Sequence, residues 1–482
     1  MGWSGPFVEK FRRPMANAPH FRRTALIVAS ALFMEQFDGT VLATALPSMA
    51  HSFGISPLYM SVALTSYLLS LAVFIPASGK VADRFGTRRV FCSAIIVFMG
   101  GSLLCAQADD LPMLVTARLL QGLGGAMMVP VARLILMRSV AKEELVSAMS
   151  WFLVPALIGP VLGPPLGGAI VSYLSWRWIF YINLPIGLAG LALSLRYIDN
   201  ISEPVTGRFD WIGLASSGIS LACLMFGLEM VSRGVTSPFA SVSILGTGLV
   251  FGGLYLLHAR SHPSPILDIR LMRIPTFRLS VIAGSLTRIT GGSLPFLLPM
   301  MMQLGFGKSA AQSGAITFMT AAGSLLMKAA APPILRRFGF RTTLIWNGLI
   351  ATLGLALCAC FRPSWPIAAI YGVLLVGGFF QSLQFTAYNT IAYADIPTHR
   401  MSDATSFYTT FQQLMLSLGI CVSAAALHFS VMLQGHAHAM LSDFSAAFLT
   451  VTAISLAASP VCAGLPRNAG ATVSGHRQTT EK

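Results

Sequence analysis

Charge is what this 482-residue chain has least of: Asp, Glu, Lys and Arg together make up 10% of it, against 55% hydrophobic residues. With a mean hydropathy of +0.71, that balance excludes an ordinary soluble domain, in which about a quarter of residues are charged. Acid is scarcer than base, 17 residues against 32. Cysteine is sparse, and Cys92, Cys105, Cys223, Cys358 and Cys360 fall in or beside apolar runs without metal or disulfide spacing, so they read as packing residues. His436 and His438 stand in a loop with too few companions to ligate a metal. The sequence has no nucleotide loop, metal cluster or nucleophile–base pair, which argues against an enzyme and against ATP as energy source. A cleavable signal peptide is also missing, because the first 23 residues are polar and basic.

What is there in abundance is apolar runs of about 20 residues, the length that crosses a bilayer as a helix. Fourteen are expected, near 24–50, 58–78, 90–108, 112–136, 145–172, 177–198, 210–231, 240–258, 279–303, 311–330, 342–360, 366–390, 404–433 and 443–465. With the N-terminus in the cytoplasm, 24 of the 32 Lys and Arg fall in inward segments. Four fall in outward loops (Arg177, Arg233, Lys308, Arg362) and four inside spans (Arg118, Arg133, Arg288, Lys328). That bias sets topology, puts both termini in the cytoplasm, and removes the need for a nucleic-acid partner.

An internal repeat divides the chain. Arg84, Phe85, Gly86 and Arg88 recur as Arg337, Phe338, Gly339 and Arg341 at an offset of 253, each copy in a short inward loop between two spans. The expected fold is an all-α polytopic membrane protein. Its parts are a tail (1–23), a six-helix bundle (24–198), a linker with two extra helices and an interfacial segment (199–278), a second six-helix bundle (279–465) and a tail (466–482).

Span 1 carries Glu35 and Asp38 on one helix face. Carboxylates inside a membrane rarely persist without a function or a partner. By helix rise Asp38 lies about 18 Å, and Arg118 of span 4 about 10 Å, below the outer end, a gap that a long Arg side chain nearly closes. Asp38, assisted by Glu35, is therefore a candidate proton site tuned by Arg118; the competing reading is a static buried salt bridge. In the second half Arg288 and Lys328 are cations without an acidic partner in their own spans, suited either to an anionic substrate or to capping carbonyls. Gln381, Gln384 and Tyr388, with Gln412 or Gln413, could line a loosely selective cavity or serve interhelical packing.

The loop Gly79-Lys-Val-Ala-Asp-Arg-Phe-Gly-Thr-Arg-Arg89 resembles the signature loop of the major facilitator superfamily. The resemblance implies a gating role for Gly79, Asp83, Arg84, Gly86, Arg88 and Arg89. In it Asp83 faces the start of span 13, around Asp403 to Ser406, while the second copy has Arg336 at that position. In span 5, Gly159-Pro-Val-Leu-Gly-Pro-Pro-Leu-Gly-Gly168 looks like the family's antiporter motif, typical of exporters. Gly159, Gly163 and Gly167 form a smooth face, Gly168 follows, and Pro160, Pro164 and Pro165 should kink the helix. Arg118-Leu-Leu-Gln-Gly-Leu-Gly-Gly125 resembles the span-4 motif associated with proton coupling. The segments 37–47, 176–187 and 209–213 resemble the fourteen-helix drug:proton antiporter branch, and within it exporters of the MdtD type; Ala43 departs from that pattern. The resemblance implies export of small organic molecules from the inner membrane of a bacterium. The proton gradient would drive it, with no cofactor, and the unit would be a monomer or be joined by a periplasmic adaptor. Two alternatives stay open: export of a specific metabolite, siderophore or amino acid, and a transporter-like sensor.

Overall fold

The structure is a computed structural model that describes residues 19–140, 145–202, 209–233, 238–263, 265–397, 400–466 and 469–470. Most of the expected tails, 1–23 and 466–482, lies outside the described residues. Among these residues twelve helices are long and apolar enough to cross a membrane.

The first bundle comprises α1 (Pro19–Phe53), α2 (Ser61–Phe85), α3 (Thr87–Ala106), α4 (Leu111–Ser139), α5 (Leu145–Tyr173) and a sixth span broken into α6 (Trp178–Tyr181) and α7 (Asn183–Tyr197). The inserted pair is α8 (Trp211–Arg233) and α9 (Pro238–Ser261). The second bundle comprises α10 (Pro275–Met300), α11 (Ala310–Ala359), α12 (Ile367–Ile391), α13 (Met401–Gln434), α14 (Leu441–Leu456) and α15 (Ala458–Ala463). Local chemistry starts and stops these helices. Asp110 accepts the Met113 N–H at 2.8 Å at the head of α4, Ser309 and Gln312 form a capping box at the head of α11, and Gly435 closes α13 in the left-handed region.

The 50 residues of α11 are two helices joined at Gly339, which has φ 69° and ψ 169°. The first copy of the repeat turns at Gly86, with φ 92° and ψ 142°. The repeat is thus one of conformation as well as sequence, and both glycines hold backbone angles that a Cβ disfavours. Further equivalences follow. Arg84 lies over Phe85 at 5.6 Å and Arg337 over Phe338 at 5.5 Å. Arg88 donates to the Ile198 carbonyl at 3.2 Å and Arg341 to the Ala463 carbonyl at 3.0 Å. In each half, then, the loop is pinned to the end of that half's last helix. Gly339→Ala is expected to lower stability by about 1–2 kcal/mol, read from thermal melting in detergent.

The interfacial segment is a 3-10 turn over Ile269–Arg273, tied to the second bundle by Asp268 and Arg400 at 2.5 Å. Asp210 caps α8 and holds this region. Its carboxylate accepts from the Gly213 N–H at 2.8 Å, the Ile266 N–H at 3.2 Å and His258 at 2.7 Å. Burial opposes its charge, but those hydrogen bonds outweigh burial and keep the carboxyl below its ordinary range. The folded-state value being depressed, its contribution is complete above the unfolded carboxylate range and is lost as pH falls through the folded value. Asp210→Ala should therefore cost about 0.5–2 kcal/mol at neutral pH and much less in acid, a difference that melting curves at the two pH values would show.

Candidate functional site

Asp38 and Arg118 meet. The Arg118 Nη1 lies 2.5 Å from the Asp38 Oδ2, and the two residues are 0% and 1% exposed, Arg118 and Asp38 respectively. Around them a closed polar cluster is built from five helices. Gln121, one turn after Arg118, accepts from Arg118 at 2.7 Å and donates to Asp38 at 2.9 Å. Asn183 at the head of α7 donates to Asp38 at 3.2 Å and to Ser102 of α3 at 2.9 Å. Arg118 Nε donates to the Ala63 carbonyl at 3.0 Å, and its guanidinium stacks 4.4 Å from the Tyr67 ring centroid. In lipid such a pair persists only when its remaining lone pairs and protons are satisfied, and here most are. Gln121, Asn183 and Ser102 are the members the sequence reading missed. Asn183 sits in the 176–187 segment, but nothing in its spacing connects it to span 1.

Glu35 shares a helix with Asp38 and is only partly buried. Its Oε2 is enclosed and accepts no hydrogen bond in the structure, and it feels the charges of Arg133 and Asp38. Arg133, on α4, is exposed and also acts electrostatically on Tyr393 beyond α12, so it faces the space between the two halves.

The loop at 79–89 corrects one expectation. Asp83 pairs with Arg138 at 2.5 Å, not with the start of α13. The physical reason is that α4 packs beside α2 and ends with a cation at the same level. The cross-half electrostatic link here has the opposite sense: Asp403, in the first turn of α13, feels Lys80 from the loop as well as Asp268 and Arg400. Gly79 has open space around it, Arg84 and Arg89 are exposed, and Arg89 and Gly86 abut Asn200.

The span 5 glycines face two ways. A Cβ on Gly159 would lie 3.0 Å from Gln36, and one on Gly167 would lie 2.7 Å from Thr44; Gly163 abuts Thr40. That stripe seats α5 on α1 inside one bundle. Gly168 instead abuts the Ala310 carbonyl, and Pro164 abuts Gly314, both on α11 of the other half. Pro160, Pro164 and Pro165 all lie within the continuous helix α5. Beside this contact the Ala311 N–H donates to the Ser172 Oγ at 2.9 Å and Gln303 to the Thr44 carbonyl at 3.1 Å. The halves are therefore joined at the ends that the charge bias assigns to the outside.

In the second half Arg288 is buried and donates to Asn389 at 2.9 Å and Gln412 at 3.4 Å, with the Tyr408 ring centroid 4.5 Å away. Lys328 is exposed and reaches Thr386 at 3.4 Å. Gln384 and Tyr388 are corrections. Gln384 is bound to Asn347 at 2.6 Å and to the Leu344 carbonyl, and Tyr388 meets Cys462 at 3.0 Å. Both are buried in helix packing, because their face of α12 turns toward α11 and α15. Gln381 borders a crevice with Thr290 and Thr320 that has room for little more than one water, about 20 Å³. Asp210, His258 and His262 bring donor atoms within 4.8 Å of one another, but that carboxylate is engaged as a helix cap. His436 is tied to Asp443 at 2.8 Å.

With this geometry in hand, the comparisons with known proteins are direct. Residues 28–420 match the model of the Major Facilitator Superfamily. The chain is 39% identical over 418 residues to the "Putative multidrug resistance protein MdtD" of Salmonella heidelberg (strain SL476), covering 86% of this chain and 88% of that protein. Two crystal structures share the fold. An auto inhibited POT family peptide transporter has a TM-score of 0.66 at 15% identity, over 91% of this chain and 96% of its own. A bacterial homolog to the human lysosomal transporter Spinster, inward-facing and unoccupied, has a TM-score of 0.63 at 14% identity, over 97% and 100%. The paired bundles, the repeated loop and these matches lead to one conclusion: the chain belongs to the Major Facilitator Superfamily and is a multi-pass membrane transporter, not an enzyme.

Proposed function

We propose that the chain crosses the bacterial inner membrane fourteen times and exports small organic molecules of the multidrug type, exchanging them for protons by alternating access. The count takes the twelve spans, adds one because α11 turns back at Gly339, and adds one for α5, 29 residues long. The observation that carries the mechanism is the sealed Asp38–Arg118 cluster. Its ionised pair is self-satisfied, so protonating Asp38 removes the charge that Arg118, Gln121 and Asn183 converge on and frees α1 to shift against α4 and α7. The exporter's direction rests on the span 5 motif, and drugs as cargo rest on the MdtD relative.

A second reading, export of an anionic metabolite, is favoured by one feature. Arg288 is answered by the neutral oxygens of Asn389 and Gln412, and Arg133 is exposed toward the same space. Proton release from acidified everted vesicles, read with a pH dye against cationic dyes, neutral drugs and organic acids, separates the readings. A response to organic acids alone selects the second, a response to cations or neutral drugs selects the first, and no response to any removes both.

A further inference from the structure

Beside the Asp38 cluster, toward the inner face, α1 and α7 part. Between Leu26 and Ser30 of α1 and between Pro185 and Tyr197 of α7 runs a groove of about 910 Å³. α7 packs chiefly against α1 and α3 of its own bundle, and its Leu188 and Leu195 are 59% and 56% exposed, so the groove opens on the lipid side and not between the halves. Its floor is shaped by a small residue. A Cβ on Gly190 would lie 2.6 Å from the Ser30 Oγ, so a larger residue there would close the gap. Ser30 turns its hydroxyl back to the Ile27 carbonyl at 2.7 Å, which leaves the floor without a stranded polar group and fit for a hydrocarbon chain. From Pro185 to Tyr197 the groove is about 18 Å long by helix rise. Half of a bilayer's hydrocarbon core is about 15 Å, so its length is that of one leaflet.

The inner end is basic and aromatic. Arg23 lies 4.2 Å and Arg196 5.6 Å from the Tyr197 ring centroid, and Arg22 lies 5.6 Å from that of Trp151 on α5. Residues 22–30 and 183–200 hold these three cations against one acid, Asp199. A guanidinium carries five N–H donors, so a phosphate adds to the contacts these side chains already make. Basic pockets between spanning helices at the cytoplasmic face recognise anionic headgroups.

We propose that this groove binds one anionic phospholipid of the inner leaflet, with an acyl chain between α1 and α7 and the phosphate at Arg23 and Arg196. Its deep end stops two residues short of Asn183, which donates to Asp38 at 3.2 Å, so the seated chain braces the two helices that the polar cluster ties together. The site does not depend on what the protein carries or on proton coupling.

Native mass spectrometry of the full chain, released from detergent micelles containing phosphatidylglycerol or phosphatidylcholine, tests it. The parent should retain one phosphatidylglycerol in preference to phosphatidylcholine. Neutralising the rim in the double variant Arg23→Gln with Arg196→Gln should weaken that retention by about tenfold or more. Ala189→Phe fills the groove from an exposed lining position without removing a charge, and should displace the same lipid. Arg273→Gln with Arg278→Gln, which removes two exposed cations of the second bundle's inner face, should leave retention unchanged. Equal retention of the two lipids, undiminished phosphatidylglycerol in the rim variant, or an equal loss in the Arg273 and Arg278 control overturns the proposal. So does an Ala189→Phe variant that keeps its lipid and loses binding of a hydrophobic dye, which would make the groove a substrate entrance.

Discussion

Asn in place of Asp38 should abolish substrate-driven proton movement in sealed vesicles while leaving the protein inserted in the membrane. Asn keeps the side-chain shape and one acceptor oxygen but cannot gain or lose a proton, so the exchange step disappears. The same change strands the Arg118 guanidinium, which is fully enclosed and aimed at Asp38 at 2.5 Å. Removing one partner of a buried ion pair costs about 3–5 kcal/mol, because the remaining charge has no water to turn to. The melting temperature of D38N should therefore fall along with coupling. A static bridge and a proton site separate in the double variant Asp38→Asn with Arg118→Gln. Removing both charges should recover much of the stability in either case. Coupling returns with it only if the bridge is structural. Recovery of proton flux in the double variant would overturn the assignment of Asp38.

Val in place of Gly168 is expected to slow transport by roughly tenfold or more. A Cβ at this position runs into the Ala310 carbonyl of the opposite half, and backbone cannot move aside as a flexible side chain can. Overpacking of about 1–3 kcal/mol acts only on the state in which the outer ends meet. The closed population then falls by roughly 5- to 150-fold, at 1.4 kcal/mol per factor of ten. Disulfide formation between Ser172→Cys and Ala311→Cys measures that population directly and should drop in parallel with transport. Ala in place of Gly159 is the control: its contacts are with Gln36 and Phe37 of α1, inside one bundle, so it should lower stability without shifting closure. Equal cross-linking in Gly168→Val and the parent would mean that the motif does not set outer closure.

These two sites show how far a linear reading reaches. Asp38 and Arg118 were legible as partners because a charge in an apolar run is conspicuous and helix rise gives its depth. Gln121, Asn183 and Ser102 were not, because an amide or a hydroxyl in a span is unremarkable until its neighbours are known. Glu229 of α8 accepts from Ser61 and from Cys421, 168 and 192 positions away, contacts that no local pattern announces. Gln384 and Tyr388 were expected at a cavity because they share a face with Gln381, and helical period cannot say toward which neighbour that face turns. Asp83 was placed by resemblance against α13, yet Arg138 is the cation it meets.

By itself the sequence determined the solvent, the rough length and order of the helices, their orientation and the two-fold repeat. Each of these follows from local quantities: apolar run length, the placement of Lys and Arg, and the glycines at 86 and 339 that alone tolerate their backbone angles. Only the tertiary structure decided which polar groups close on Asp38, which of the span 5 glycines meets the other half, and what Glu229 holds together. Those are contacts between helices distant along the chain. In a membrane, where apolar faces attract lipid as readily as one another, close backbone approach and satisfied hydrogen bonds select them.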